Sequence, residues 1–334
     1  MVFNSLTCSA PGSTIIMGEH AVLHGYPAIV AALDARLSVR LSGLEQAQLQ
    51  IDSSVGAWQS SLSEALEVGL HQQPLRFVLA ALQFYSTGVK ALPGLHIKID
   101  SAIDPSMGLG SSAALTVALV GALRAWLGQD HGHHPTQDKQ QTLEDAVSII
   151  RNVQGRGSGA DAAASCYGGL VRFDAEHRQA KALLSGSGAP ALPDLRLIYT
   201  GYKTPTPQVI AQVAQWAQAE PQRYKQIYAS MGGLVKQTEA AIGLADWSAM
   251  AAAMNAYQQQ MQALGVCDKG TQSAIDAAWR AVDSAPNKHD LAVKISGSGL
   301  GDCILGLGIP HVPAWPHKQF ALPISASGLT YQNT

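Results

Sequence analysis

Cysteine is scarce in this chain: four in 334 residues, at Cys8, Cys166, Cys267 and Cys303, with no Cys-x-x-Cys pair among them. That scatter argues against a disulfide framework or a cysteine-built zinc site, and it fits reduced, mostly buried thiols in a cytoplasm. Charge is scarce as well. Only 14% of the residues are charged, the formal net charge is −2, and no basic block or aromatic–basic interleaving occurs, so no nucleic-acid partner is expected. The longest uncharged apolar run, Ala113 to Leu123, stops at Arg124 and is too short to span a bilayer, so no membrane partner is expected either. The first residues lack the basic start and apolar core of a signal peptide, and the expected location is cytoplasmic.

The familiar nucleotide fingerprints are also missing. Gly12 and Gly18 are followed by Glu19 and not by lysine, so no G-x-x-x-x-G-K-[ST] loop exists. No G-x-G-x-x-G stands convincingly between a strand and a helix, and the protein-kinase signature set is absent. The cluster His131-Gly132-His133-His134 lies in a polar stretch ending at Pro135 and reads as an exposed loop in preference to a metal site.

What is present is a compact, alanine-rich globular chain, 47% hydrophobic and long enough for two domains. Helical periodicity covers roughly 59–70, 75–87, 111–127 and 138–154. Strand-like runs occur at Arg36 to Leu41, Leu95 to Asp100, Leu170 to Phe173, Leu195 to Tyr199, Ala292 to Ile295 and Cys303 to Leu307. This mixture argues for α+β or mixed α/β layers, with α+β the expected class. The Gly/Pro/Ser stretch from Ser185 to Pro193 has linker composition and suggests domains of 1–188 and 189–334. The run after Ala113 reads as a buried central helix.

Four loops stand out. The first, Pro11-Gly12-Ser13 through Gly18-Glu19-His20 to Ala28, could place polar groups at a cleft, or be a strand and turn with a solvated Glu19. The second, Pro105-Ser106-Met107-Gly108-Leu109-Gly110-Ser111-Ser112-Ala113, opens the central helix. Glycines let backbone approach a ligand, and a helix start offers unpaired N–H groups and a positive dipole end to an anion such as phosphate. A plain turn with a serine N-cap is the simpler alternative. The third, Gly155-Arg156-Gly157-Ser158-Gly159-Ala160-Asp161, carries a carboxylate that would accept a hydroxyl proton or merely cap a helix. The fourth is Lys294-Ile295-Ser296-Gly297-Ser298-Gly299-Leu300-Gly301-Asp302. Tyr199 to Thr206 would line an acceptor pocket or form an ordinary loop.

These four segments, in this order, resemble the motifs of the GHMP small-molecule kinases and, among them, the mevalonate kinase branch, over nearly the whole chain. The resemblance implies an N-terminal domain like ribosomal protein S5 domain 2 and a ferredoxin-like C-terminal domain, with the active site between them. It implies ATP and Mg²⁺ as cofactors, mevalonate as the small-molecule substrate, and by family habit a homodimer. Pro105, Gly108, Leu109, Gly110, Ser111, Ser112 and Ala113 would hold the nucleotide, Ser112 would also contact Mg²⁺, and Gly297, Ser298 and Gly299 would buttress the site. Asp161 would be the catalytic acid/base, while Glu19, His20, Ser158, Gly159 and Thr204 would lie at the acceptor.

Two positions depart from the family pattern. Ser13 stands where the family carries a lysine, and Ile150 stands where it carries a Mg²⁺-binding glutamate. Arg156, or else Lys203, would have to supply the missing cation, and Glu144 and Asp145 do not align with the missing carboxylate. Gly157-Ser158-Gly159 and Gly301-Asp302-Cys303 also resemble phosphomevalonate kinases, but Arg36, Arg156 and Lys203 are the only obvious cations near the motifs for an acceptor already phosphorylated. A non-catalytic metabolite-binding regulator with the same fold is the rival from another class.

Overall fold

The computed structural model describes residues 5–70, 75–104, 108–128, 138–155, 157–184 and 191–333. Pro105, Arg156 and the 131–135 histidine stretch, with what was expected of them, lie outside the described residues. In chain order the first elements are β1 (Ser5–Met17), a 3-10 turn (Ala21–His24), β2 (Ala28–Gly43), β3 (Gln48–Ser53), β4 (Gly56–Ser61), α1 (Leu62–Glu67), α2 (Arg76–Phe84), α3 (Ser86–Lys90) and β5 (Leu95–Ser101). Then come α4 (Ser111–Trp126), α5 (Lys139–Gln154), α6 (Ala160–Tyr167), β6 (Leu170–Asp174), β7 (Gln179–Leu184) and β8 (Leu195–Lys203). The rest are α7 (Thr206–Ala219), α8 (Pro221–Leu244), α9 (Trp247–Ala263), α10 (Lys269–Ala281), β9 (Ala292–Ser296), β10 (Gly301–Leu307), β11 (Gln319–Ala321) and β12 (Thr330–Asn333).

Two compact units result. The first comprises 1–13, 32–169 and 325–334; the second comprises 14–31 and 170–324. They interleave in sequence, whereas the sequence reading placed one cut after residue 188. The reason is visible in the strands: β1 and β2 each run from one unit into the other, and the C-terminal tail returns to pair β12 with β1. Arg36 ties that tail down, donating to Ser9, Ser325 and Thr330 and to the carbonyls of Ser327 and Gly328. Arg36 is therefore a structural clamp of the first unit and not a free cation for a ligand.

In the first unit the strand order is β12-β1-β2-β5-β3-β4, with β3 and β5 parallel and β3 and β4 a hairpin. The helix expected over 59–70 begins only at Leu62, because Gln59 to Ser61 pair with β3. A capping box between Ser61 and Glu64 sets that boundary. The pattern over 75–87 breaks at Tyr85 into α2 and α3. Helix α4 is the buried central helix: Ala113, Ala114 and every residue from Thr116 to Ala125 are buried. Arg124 on it is held by Asp138 and Asp145, and Tyr85 donates to Asp145. Asp145 is thereby committed to the fold.

The second unit contains the antiparallel sheet β11-β8-β10-β9, with α7 to α10 preceding β9 in the chain. Its β6–β7 pair attaches to the first residues of β2, Ala28 to Ala31. Helix α10 buries Ala274, Ile275 and Ala278 in a cluster with Ile198, Val293 and Ile304. Cys8, Cys166 and Cys303 are buried thiols, and Cys267 is half-buried. No described helix is long and apolar enough to cross a membrane.

Candidate active site

The first unit gathers three of the singled-out segments. Gly110, at φ 68°, is the N-cap of α4, and no side chain caps that end. The serine-cap alternative therefore fails: the N-cap is Gly110, and Ser111 and Ser112 lie inside the first turn. Ser112 is half-buried and Leu109 and Ala113 are buried. The loop lies against β1: the Ser13 N–H donates to the Leu109 carbonyl at 3.0 Å, and a Cβ on Gly110 would meet Ser13 Oγ at 2.1 Å. Only glycine permits that approach.

Asp161 belongs to the same cluster. It is the second residue of α6, whose N-cap is Gly159 in the left-handed region, so Asp161 is not a capping residue. The Ser13 hydroxyl donates to Asp161 Oδ1 at 2.8 Å. Burial pushes the Asp161 carboxyl above the usual carboxylate range, and the Ser13 hydrogen bond pulls the other way. Ser158 Oγ accepts from the Ala160 N–H at 3.2 Å, which makes it a local turn residue. Arg151 donates to the carbonyls of Gly157 and Ser158 and so fixes the approach to α6. Ile150 is buried, with its Cγ2 3.7 Å from where a Gly157 Cβ would lie.

The second unit gathers the rest of the first segment, from Thr14 onward, and the fourth. Glu19 is not solvated, as one alternative had it; it is 2% exposed, because Lys294, with no exposed surface at all, donates to its Oε1. Glu19 Oε2 has no hydrogen-bond partner among the described residues. Burial raises the Glu19 carboxyl and lowers the Lys294 ammonium; their mutual attraction, and the nearby Gly297 amide at Glu19, oppose those shifts. Lys294 also donates to the Ile295 carbonyl and lies 5.6 Å over the Tyr257 ring, while the Tyr257 hydroxyl donates to the Glu19 carbonyl at 2.8 Å. Next in sequence, His20 sits at φ 58° and its Nε2 donates to the Ser298 carbonyl at 2.9 Å. Burial lowers its pKa, so the ring is neutral at neutral pH with the proton on Nε2. Glu19 and His20 thus grip the first part of the final glycine loop, at Lys294, Gly297 and Ser298.

That loop is further held by Thr204, whose hydroxyl donates to the Leu300 carbonyl at 2.7 Å, and by Val266, whose carbonyl accepts from Leu300 N–H at 2.8 Å. Gly299 lies where a Cβ would strike the Val266 carbonyl at 2.6 Å, whereas Gly297, at φ 83°, faces open space. Ser298 Oγ lies 3.4 Å from the Thr206 hydroxyl. Lys203 is paired with Asp302 at 2.7 Å, so its charge is committed within this unit.

The residues that sequence reasoning passed over are Ser13 as a partner of Asp161, and Lys294 with Tyr257. A signal existed for Lys294: it interrupts Ala292-Val293-Lys294-Ile295, and a lysine in an all-buried strand demands a buried anion. For a divalent cation, no group of three His, Cys, Asp or Glu side chains occurs among the described residues. Ser112, which carries a hydroxyl, is half-buried in the first turn of α4, and Ile150 is a buried apolar side chain where a carboxylate was sought. Hard oxygen of that kind fits Mg²⁺ held mainly by phosphate oxygens and water, not a metal caged by protein.

Comparison with known proteins completes the picture. The family described as GHMP kinases N terminal domain matches residues 76–169, and GHMP kinases C terminal matches residues 238–314. The mevalonate kinase of Methanothermobacter thermautotrophicus is 31% identical over 306 residues, which covers 90% of this chain and 89% of the relative. That of Archaeoglobus fulgidus is 30% identical, with 90% and 92% covered. The crystal structure of the Methanococcus jannaschii mevalonate kinase superposes with a TM-score of 0.74 at 17% identity, covering 95% of this chain and 98% of that one, which speaks to the fold alone.

Proposed function

This chain belongs to the GHMP kinase family, and from that premise we propose that it transfers the terminal phosphoryl group of ATP to the primary hydroxyl of mevalonate, giving 5-phosphomevalonate. The observation that carries the reading is the joining, in one unit, of a glycine-turn helix start with a half-buried carboxylate. The relatives of equal length that are named mevalonate kinase supply the choice of acceptor.

In this reading the N–H groups of the first turn of α4, with the Gly108–Gly110 backbone, hold phosphate oxygens at the positive end of the helix dipole. Asp161 accepts the proton of the acceptor hydroxyl as its oxygen bonds to the terminal phosphorus; the bond from that phosphorus to the bridging oxygen breaks, and ADP leaves. A carboxylate whose pKa is raised by burial is a stronger base than a solvated one, and the Ser13 hydrogen bond favours its ionised form. Mg²⁺ bound with the nucleotide would neutralise phosphate charge, and Ser112 would be the hydroxyl to contact it. In the second unit His20 and Thr204 shape the final glycine loop, whose open Gly297 leaves backbone accessible.

The test is a coupled ADP-release assay with a panel of acceptors, mevalonate and phosphomevalonate side by side. ADP release that depends on mevalonate supports the proposal. Preference for phosphomevalonate would make the chain a phosphomevalonate kinase, a reading disfavoured because Arg36 and Lys203 are both already engaged. ATP binding with no acceptor-dependent ADP would make it a metabolite-binding regulator, the reading that Ser13 and Ile150 favour.

A further inference from the structure

Ser13 has no exposed surface, and both of its polar groups point at parts of the first unit that are far away in sequence. Its N–H seats the phosphate-loop candidate through the Leu109 carbonyl, and its hydroxyl reaches Asp161, 148 positions downstream. A hydroxyl has one proton to give, and a carboxylate can only accept, so the direction of the 2.8 Å bond is fixed. Among the described residues no other side chain bonds to Asp161, and no charged group contributes to its ionisation. The neutral Ser13 hydroxyl is therefore what orients the carboxyl group: Oδ1 is occupied, and Oδ2 is left for a proton.

We infer that Ser13 is a positioning residue for phosphoryl transfer, its hydroxyl aiming Asp161 while its backbone independently seats the Gly108–Ser112 loop. The inference rests on the kinase reading above. Ser13 takes no proton in the reaction; the acceptor's proton passes to Asp161 alone. Because loop and base are held by different atoms of one residue, removing the side-chain oxygen frees the base without releasing the loop.

The experiment compares Ser13→Ala, Ser13→Cys and Asp161→Asn in the full chain, measuring kcat, the KM for ATP, and the pH dependence of kcat. Loss of aim at a reacting group costs on the order of 10- to 100-fold. Ser13→Ala is expected to lose kcat on that scale, to change the KM for ATP by less than about twofold, and to move the acid limb of the kcat profile to higher pH. The pH shift follows because the bond it deletes favours the ionised carboxyl. Ser13→Cys keeps a weak donor and falls between Ser13→Ala and the unaltered chain. Unchanged kcat and acid limb in Ser13→Ala, or a fall in thermal stability with kcat intact, overturns the inference and leaves the kinase reading standing. Full turnover in Asp161→Asn overturns the kinase reading itself.

Discussion

Replacing Lys294 by methionine removes the only side-chain partner, among the described residues, of a buried carboxylate, and the cost can be bounded. Breaking a buried ion pair by deleting one member costs about 3–5 kcal/mol, because the surviving charge is stranded without water. Lys294 has no exposed surface and Glu19 is 2% exposed, so solvent cannot relieve the loss. Glu19→Gln is the mirror case and strands the ammonium. The double variant Glu19→Gln/Lys294→Met strands nothing, and exchanges of that kind run from neutral to about 4 kcal/mol stabilising. The two single variants should therefore unfold at clearly lower urea concentration than the double variant.

The pH dependence makes the argument sharper, since the two single variants must slope in opposite directions. In Lys294→Met the Glu19 pKa is raised in the folded state above its ordinary 4.5, so between those values the native chain holds a proton that the unfolded chain has lost. Relative stability then falls by about 1.4 kcal/mol for each pH unit above 4.5, until the folded pKa is reached. In Glu19→Gln the Lys294 pKa is lowered below 10.5, so the unfolded chain holds the extra proton and stability rises with pH towards 10.5. The double variant should show neither slope. Urea unfolding of the four proteins from pH 5 to 9 decides it. Parallel slopes in the two single variants, or a cost below about 1 kcal/mol for both, would refute the claim that this pair is a desolvated unit.

Further expectations concern the first unit. Asp161→Asn should lower kcat by about 10²- to 10⁴-fold with ATP affinity and Tm nearly unchanged, because the amide oxygen can still accept from Ser13; enzyme kinetics with calorimetry checks both halves. Gly110→Ala combines a left-handed backbone at φ 68° with a Cβ 2.1 Å from Ser13 Oγ, and should cost more than the about 1–2 kcal/mol of the backbone term alone. Adding Ser13→Ala removes the nearer clash, so the double variant should recover part of that Tm loss and none of the activity.

Much of this was legible in the sequence, and what was not has a common physical cause. The loop glycines were readable because backbone at positive φ, or pressed against another chain segment, excludes a Cβ; Gly110, Gly159 and Gly299 all meet that condition. Helix α4 was readable because its apolar residues continue around every face. The β3–β4 hairpin was not, since Gln50, Gln59, Ser53 and Ser60 make it polar, and helical periodicity was found where strand pairing prevailed. Polar contacts between distant segments were the least legible. Glu19 and Lys294 are 275 positions apart and Ser13 and Asp161 are 148 apart, so local pattern carries no trace of either meeting.

Position 13 shows how a sequence departure changes meaning once its neighbours are known. Read alone, serine in place of the family lysine is a lost cation, and isoleucine at 150 is a lost carboxylate. Taken together they remove one charge of each sign, so the summed charge of the two positions is the same as with both present. A buried carboxylate with a lysine but no second anion would be held strongly ionised and be a poor base; with the second anion but no lysine it would stay protonated. Among the described residues, Asp161 is then governed by burial and by one neutral hydrogen bond. The departures are therefore compatible with a working base, provided that the Ser13 hydroxyl does by geometry what a lysine would do by charge.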